Sequence, residues 1–274
     1  MNNNPYMPFK ARLVGTKFES EDRSLKTFEF EIIDDEIKYL PGQFCEVGIY
    51  GKGEAPFGIA TSPTEGKRLK FTINKAGLVT SFLHESNKGA IFGIRGPLGN
   101  YYPVEQFKGH NVLIVGGGFA FTTLRSLLIY LLDHREEYKN IEVIYGAREP
   151  GLLMYRDELF EWEKREDLNI HLTVDKEFPG WSGNVGFVPQ VLERVAPSSK
   201  DTYAVVCGPP VMIKFTLPVL KTLDFKSDRV YTSLEKRMKC GIGKCGRCNI
   251  GHVYICKDGP VFSLQELEHL PPDI

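Results

Sequence analysis

The chain of 274 residues has no apolar run long enough to cross a bilayer, and its longest helical candidate, near residues 120–133, is broken by Thr, Arg and Ser. Its first ten residues, Met-Asn-Asn-Asn-Pro-Tyr-Met-Pro-Phe-Lys, lack the basic start and apolar stretch of a signal peptide. An excess of one charge is missing too. With 34 Lys and Arg against 35 Asp and Glu, the formal charge of −1 gives no reason to expect nucleic acid or an anionic membrane as partner. The six histidines are scattered, with no H-E-x-x-H or H-x-H grouping, and there is no G-x-S-x-G elbow or P-loop. Carboxylates lie on solvated faces, as in Arg135-Glu136-Glu137, and no acid, base or nucleophile stands out as catalytic. No repeat or low-complexity tract is evident. What remains is an ordinary globular composition, 42% hydrophobic and 25% charged, long enough for two domains and an appendage.

Cysteine is scarce except in one place. Four of the six fall at Cys240, Cys245, Cys248 and Cys256. The first three have the C-x4-C-x2-C spacing of a plant-type [2Fe–2S] site, and the fourth follows sooner than in those ferredoxins. Thiolates supply the negative charge that ferric iron needs. Gly241, Gly243 and Gly246 allow a tight loop to aim backbone N–H groups at the sulfurs. The segment Gly251–Gly259 reads as a hairpin ending near Cys256. A four-cysteine zinc knuckle and a disulfide staple are the alternatives; the first ordinarily uses two C-x2-4-C pairs, the second a small secreted chain. Clustered reduced cysteines without an export signal point to the cytoplasm. Cys45 and Cys207 stand alone in apolar surroundings and read as core residues.

Residues 9–108 read as strands at 9–19, 27–33, 43–50, 57–61, 69–74 and 91–95, separated by turn signals such as Pro41-Gly42, Glu65-Gly66 and Gly96-Pro97-Leu98-Gly99-Asn100. This spacing suits a small antiparallel barrel. Leu78, Val79, Phe82 and Leu83 give one helical face after Gly77. That helix start either presents N–H groups and the Thr80 hydroxyl to an anion or is a plain cap.

From Asn111 onward strands and helices alternate. Strands are expected at 112–115, 141–145, 170–174, 203–207 and 230–233, with helices at 120–133, 155–164 and 188–195 and a further one opened by Pro209-Pro210 and kinked at Pro218. Such alternation implies a parallel, doubly wound sheet that binds ligands beyond the carboxyl ends of its strands. Gly116, Gly117 and Gly118 lie where a dinucleotide pyrophosphate would approach, but no third glycine of the fingerprint follows. The second strand leads to Arg148 rather than an acid; the alternatives are a ribose-phosphate contact and a solvated side chain, with the glycines serving only close packing.

Barrel, doubly wound domain and four-cysteine lobe occur here in the order of the ferredoxin–NADP reductase superfamily, which the chain resembles over nearly its full length. The resemblance rests on Pro41-Gly42-Gln43-Phe44, Gly93-Ile94-Arg95-Gly96-Pro97-Leu98-Gly99-Asn100, Tyr145-Gly146-Ala147-Arg148 and Cys207-Gly208-Pro209-Pro210-Val211-Met212. Two further runs, Leu234-Glu235-Lys236-Arg237-Met238 and Asp258-Gly259-Pro260-Val261-Phe262, are similar to those of the FAD- and 2Fe–2S-bearing electron-transfer subunits of NiFe (sulf)hydrogenases (γ), anaerobic sulfite reductase (B) and dihydroorotate dehydrogenase.

The resemblance implies an FAD-binding barrel over 1–108, an NAD(P)-binding domain over 109–233 and a 2Fe–2S lobe over 234–274. FAD would meet Pro56, Phe57, Gly58, Ile59, Asn74 and Lys75, with its pyrophosphate at Gly77, Leu78, Val79 and Thr80. NAD(P)H would meet Gly116, Gly117, Gly118, Arg148, Cys207, Gly208 and Pro209. The implied activity is that of an NAD(P)H-dependent oxidoreductase subunit serving a catalytic partner such as a hydrogenase or sulfite reductase. Two departures put nicotinamide binding in doubt, the second of them favouring a bare FAD/iron–sulfur relay, whereas the intact Cys207-Gly208-Pro209-Pro210 run favours the enzyme. Gly58 stands where most relatives carry Ser or Thr, and Phe119-Ala120-Phe121-Thr122-Thr123 replaces a glycine-containing loop.

Overall fold

The computed structural model describes residues 4–33 and 35–271, which leaves the outermost ends of the expected first and last domains, 1–3 and 272–274, outside the described residues. Six strands open the chain: β1 (Phe9–Phe18), β2 (Leu25–Ile32), β3 (Phe44–Ile49), β4 (Gly53–Gly58), β5 (Leu69–Asn74) and, after helix α1 (Leu78–Glu85), β6 (Ile91–Leu98). All pair antiparallel in the order β4-β3-β6-β1-β2-β5. Period-two alternation turns Phe28, Phe30, Phe71, Ile73, Phe92 and Ile94 into one buried core. The two edges meet where the Ala60 N–H donates to the Lys70 carbonyl at 2.9 Å, closing the sheet toward a barrel.

Two expectations shift here. The strand expected at 57–61 runs instead over Gly53–Gly58, because the chain turns back at once through Gly51 and Gly53, both at positive φ. Past Gly58 the Ile59 N–H bonds to Gln43 rather than continuing the ladder. β6 likewise extends to Leu98, so the turn expected from Gly96 begins only at Gly99, whose φ of +73° favours glycine.

A short helix α2 (Val104–Phe107) leads to the second domain: β7 (Asn111–Gly117), α3 (Phe121–Asp133), β8 (Ile141–Ala147), α4 (Arg156–Trp162), β9 (Asn169–Val174), β10 (Asn184–Val185), α5 (Val188–Val195), β11 (Thr202–Cys207), α6 (Pro210–Thr222) and β12 (Val230–Ser233). α6 continues past Pro218 to Thr222. The sheet runs β10-β9-β8-β7-β11-β12, all parallel. β8 and β11 lie on opposite sides of β7, so the end of β7 is a topological switch point.

The cysteine lobe carries β13 (Asn249–Ile250), β14 (Val253–Tyr254), the single turn α7 (Ile255–Asp258), β15 (Val261–Ser263) and α8 (Leu264–Leu267). The hairpin expected over 251–259 is therefore β13–β14, turning at Gly251-His252, and Cys256 sits in α7. Asp258 accepts the Tyr254 N–H at 2.7 Å and holds that turn. β15 joins the parallel sheet as an antiparallel edge on β12, which the sequence did not suggest. A small core of Phe44, Leu234, Ile250, Ile255 and Phe262 seals the lobe against the barrel.

Barrel and sheet are pinned at Arg125 of α3. Its buried guanidinium donates to Glu65 at 2.8 and 2.9 Å, to Glu158 at 2.6 Å twice, and to the Ala60 carbonyl at 2.7 Å.

Candidate functional site

The four cysteines gather in two close pairs, Cys240 with Cys245 and Cys248 with Cys256. Gly241, Gly243 and Gly246 all adopt φ near +70°, the left-handed conformation that folds the loop back on itself. The Gly243 N–H then reaches Cys256 Sγ at 3.2 Å, while Lys244 and Cys245 N–H groups reach Cys240 Sγ at 3.2 and 3.4 Å. Burial alone would raise the Cys240 thiol, but the N–H groups of Ile242, Cys245 and Lys244 bring it down to about 6. Cys256 is pushed up to about 12 by burial and then by Cys248. Two thiol pairs fit a two-iron cluster, in which each iron takes two thiolates, and the N–H groups aimed at sulfur fit its negative charge. Among the described residues, no three His, Cys, Asp or Glu side chains converge as a single ion would need.

A cleft of about 440 Å³ runs between the barrel and the second domain. Of the residues expected along a flavin, Pro56, Phe57, Gly58, Asn74 and Thr80 line it, and so does Cys207, which was expected with the nicotinamide dinucleotide. Ile59 instead lies in the barrel core, and Lys75 pairs with Glu85 at 3.4 Å. At the start of α1, the Thr80 hydroxyl accepts the Ala76 and Gly77 N–H groups at 2.9 and 2.8 Å. Thr80 thus caps the helix and faces the cleft at once; Leu78 is exposed and Val79 leans on the barrel core.

The cleft also takes in Thr123, Ser233 and the run Leu234–Lys236 with Met238, two residues short of Cys240. Burial pushes the Cys207 thiol up to about 12, against the opposing contact from the Thr123 hydroxyl 3.7 Å away, so it stays protonated at neutral pH. Glu235 keeps much of its surface in solvent, yet burial of its carboxyl raises its pKa.

A second cleft of about 820 Å³ opens at the carboxyl ends of β7, β8 and β9. Gly117, Gly118, Arg148 and Pro209 line it, together with Asp175. Gly116 and Gly208 serve packing instead. A Cβ on Gly116 would press on Leu124 and Phe121 at 2.9 Å, and one on Gly208 would collide with Met212. Phe121, which the sequence places beside the pyrophosphate approach, turns into the core and stacks on Tyr145 at 4.0 Å. The altered loop therefore leaves this cleft open.

Known proteins agree with this layout. Residues 114–217 match the oxidoreductase NAD-binding domain, and residues 235–268 match the iron–sulfur cluster binding domain of dihydroorotate dehydrogenase B. The chain is 38% identical over 280 residues to the γ subunit of sulfhydrogenase 2 from Pyrococcus furiosus, covering 95% of this chain and 96% of that protein. It is 33% identical over 245 residues to a probable dihydroorotate dehydrogenase B (NAD(+)) electron transfer subunit from Thermococcus kodakarensis, covering 89% of this chain and 92% of that one. The chain belongs to this family of electron-transfer subunits.

The same fold occurs in the NADH-dependent reduced ferredoxin–NADP oxidoreductase structure, with a TM-score of 0.77 at 24% identity, over 100% of this chain and 92% of that one. Gly58 and Thr123 meet in space. A Cβ at Gly58 would collide with Thr123 Cγ2, so the methyl from α3 fills the volume that a side chain on β4 would need. Gly58→Ser is expected to destabilise the protein by about 1–3 kcal/mol through overpacking. Thr123→Ala should relieve it, giving a coupling of about 1 kcal/mol or more in a double-mutant cycle read by thermal midpoints. Thr123, Glu235 and Asp175 were not singled out in the sequence as site residues. A polar residue at a strand's carboxyl end was the available signal for Asp175.

Proposed function

We propose that this chain is the electron-transfer subunit of a soluble, cytoplasmic multi-subunit oxidoreductase, passing electrons between NAD(P)H, FAD and a [2Fe–2S] cluster, to or from a catalytic partner of the hydrogenase or sulfite-reductase kind. The observation that carries this is the position of the first cleft. One wall is Cys207, at the strand end beside the nucleotide-binding cleft, and another is the run Leu234–Met238 that leads into Cys240. A flavin in that cleft lies between a hydride donor and a one-electron acceptor, and FAD supplies the chemistry that converts two-electron into one-electron transfer.

In this reading Pro56, Phe57 and Gly58 bear on the ring, Asn74 and Thr80 on the ribityl and phosphate end, and the free N–H groups of the first turn of α1 on the pyrophosphate. The neutral Cys207 thiol brings no charge to the place where the nicotinamide would stack. Gly117, Gly118 and Arg148 hold the dinucleotide, and Cys240, Cys245, Cys248 and Cys256 hold the cluster. The working units are 1–108, 109–233 and 234–274. No helix of the described residues is long and apolar enough to cross a membrane.

Anaerobic titration with NADH and with NADPH tests the reading. Bleaching of the flavin absorbance by one equivalent of either supports it; a flavin reduced by dithionite but by neither nucleotide overturns it.

A further inference from the structure

The surface around the cluster has a charge unlike that of the chain. Between residues 236 and 257 there are six cations, Lys236, Arg237, Lys239, Lys244, Arg247 and Lys257, and no Asp or Glu. The chain as a whole carries −1, so everything outside this span is net acidic. All six side chains are exposed, and among the described residues none makes an ion pair. Lys244 and Arg247 flank the exposed Cys245, and the Lys257 stem packs over the loop at Gly243.

An apolar patch lies beside this collar. Arg95 ties the amino-terminal segment to the cluster loop, donating to the Pro5 carbonyl at 3.3 Å and the Cys240 carbonyl at 2.9 Å while Glu54 fixes its other side at 2.6 Å. That brings the segment carrying Tyr6 and Met7, 56% and 54% exposed, to the cysteine loop, with Tyr50 at 58%. Tyr50 and Pro8 both abut Gly93 on the strand that carries Arg95. Aromatic and Met side chains ringed by charge are the composition of an association surface rather than of ordinary surface.

We infer that this face is the docking site for the electron partner, and that the partner presents an acidic rim around its own redox centre. With a cluster held by the four thiolates, the transfer across this face would be of one electron from the reduced cluster to a one-electron acceptor in the partner, with no proton or atom moved. Four thiolates and a two-iron core carry about two to three negative charges, and the exposed Glu235 and Asp258 at the two ends of the span add two more, so the six cations leave the face weakly positive with the cluster in place. The inference rests on the iron–sulfur site proposed above.

The test uses the holoprotein, reduced anaerobically with dithionite, and two outer-sphere oxidants of opposite charge, ferricyanide and hexaammineruthenium(III). Cluster reoxidation is followed by loss of its paramagnetic signal in freeze-quenched samples. Raising the salt from about 0.02 M to about 0.5 M should slow the anionic oxidant about tenfold and speed the cationic one. The triple variant K244Q/R247Q/K257Q should flatten both dependences. Equal salt responses to the two oxidants would overturn the inference. So would a triple variant that shifts only the cluster's midpoint potential and leaves the salt response intact, since the collar would then merely balance the cluster's charge. Salt-sensitive binding to vesicles of phosphatidylserine and phosphatidylcholine would also overturn it, pointing to a lipid surface. Absence of any cluster signal after dithionite is a different result, and it would instead remove the proposed iron–sulfur site.

Discussion

Arg125→Ala is expected to lower stability by about 3–5 kcal/mol, the loss that follows when one partner of a buried ion-pair network is removed. The guanidinium satisfies Glu65, Glu158 and the Ala60 carbonyl at once, so its loss leaves two carboxylates facing each other across a void between barrel and sheet. The pH response should change sign with it. Burial alone would raise the Glu65 pKa, but Arg125 holds it below the ordinary range. In the native protein this contribution is complete above the unfolded value, about 4.3, and is lost as pH falls through the lowered folded value. Without Arg125 the buried carboxyl is expected to rise instead, so the variant should gain stability as pH falls from 7 toward 5. Thermal midpoints across that range check both signs. A variant as stable as the parent at pH 7 would show that the network does not join the domains.

The second large effect concerns the cluster. Cys248 is 1% exposed and packs with Phe44, Leu234, Ile250, Ile255 and Phe262. Cys248→Ser should eliminate nearly all bound iron and sulfide and loosen the lobe, because metal binding and folding of so small a unit are one process. The barrel and sheet keep their own cores, so NADH should still bleach the flavin while no cluster signal forms. Cys45→Ala is the matched control. Cys45 is equally buried, in the barrel core, and its loss should leave the iron content unchanged. Iron and acid-labile sulfide analysis of the two variants decides the matter; equal losses would refute the ligand assignment.

Much of this was legible in the sequence because local chemistry and fold agree there. Period-two alternation marked the barrel strands, Pro209-Pro210 marked the start of α6, and C-x4-C-x2-C marked the cluster loop. What escaped was non-local. β15 is three residues long and becomes a strand only because β12 offers it an edge. The hairpin was misplaced because residues 251–259 alternate well enough to read as strand, whereas Asp258 captures the Tyr254 N–H and winds Cys256 into a turn. Gly58 and the loop 119–123 are two separate departures in the sequence, yet in space the Thr123 methyl fills the volume beside Gly58. Phe121 belongs to the loop that departs from the glycine-containing one, yet its ring stacks on Tyr145 and its bulk lies in the core. The basic collar was hidden by the near-zero net charge, which averages it against an acidic remainder.

The account requires electrons from a nicotinamide to arrive at the four thiolates through one flavin cleft. The electron paramagnetic resonance spectrum of the purified protein after anaerobic addition of NADH or NADPH measures that arrival. A rhombic signal of a reduced two-iron cluster, matching the one dithionite produces, is the predicted result. A dithionite-reducible cluster that stays silent with both nucleotides, beside a bleached flavin, would contradict it.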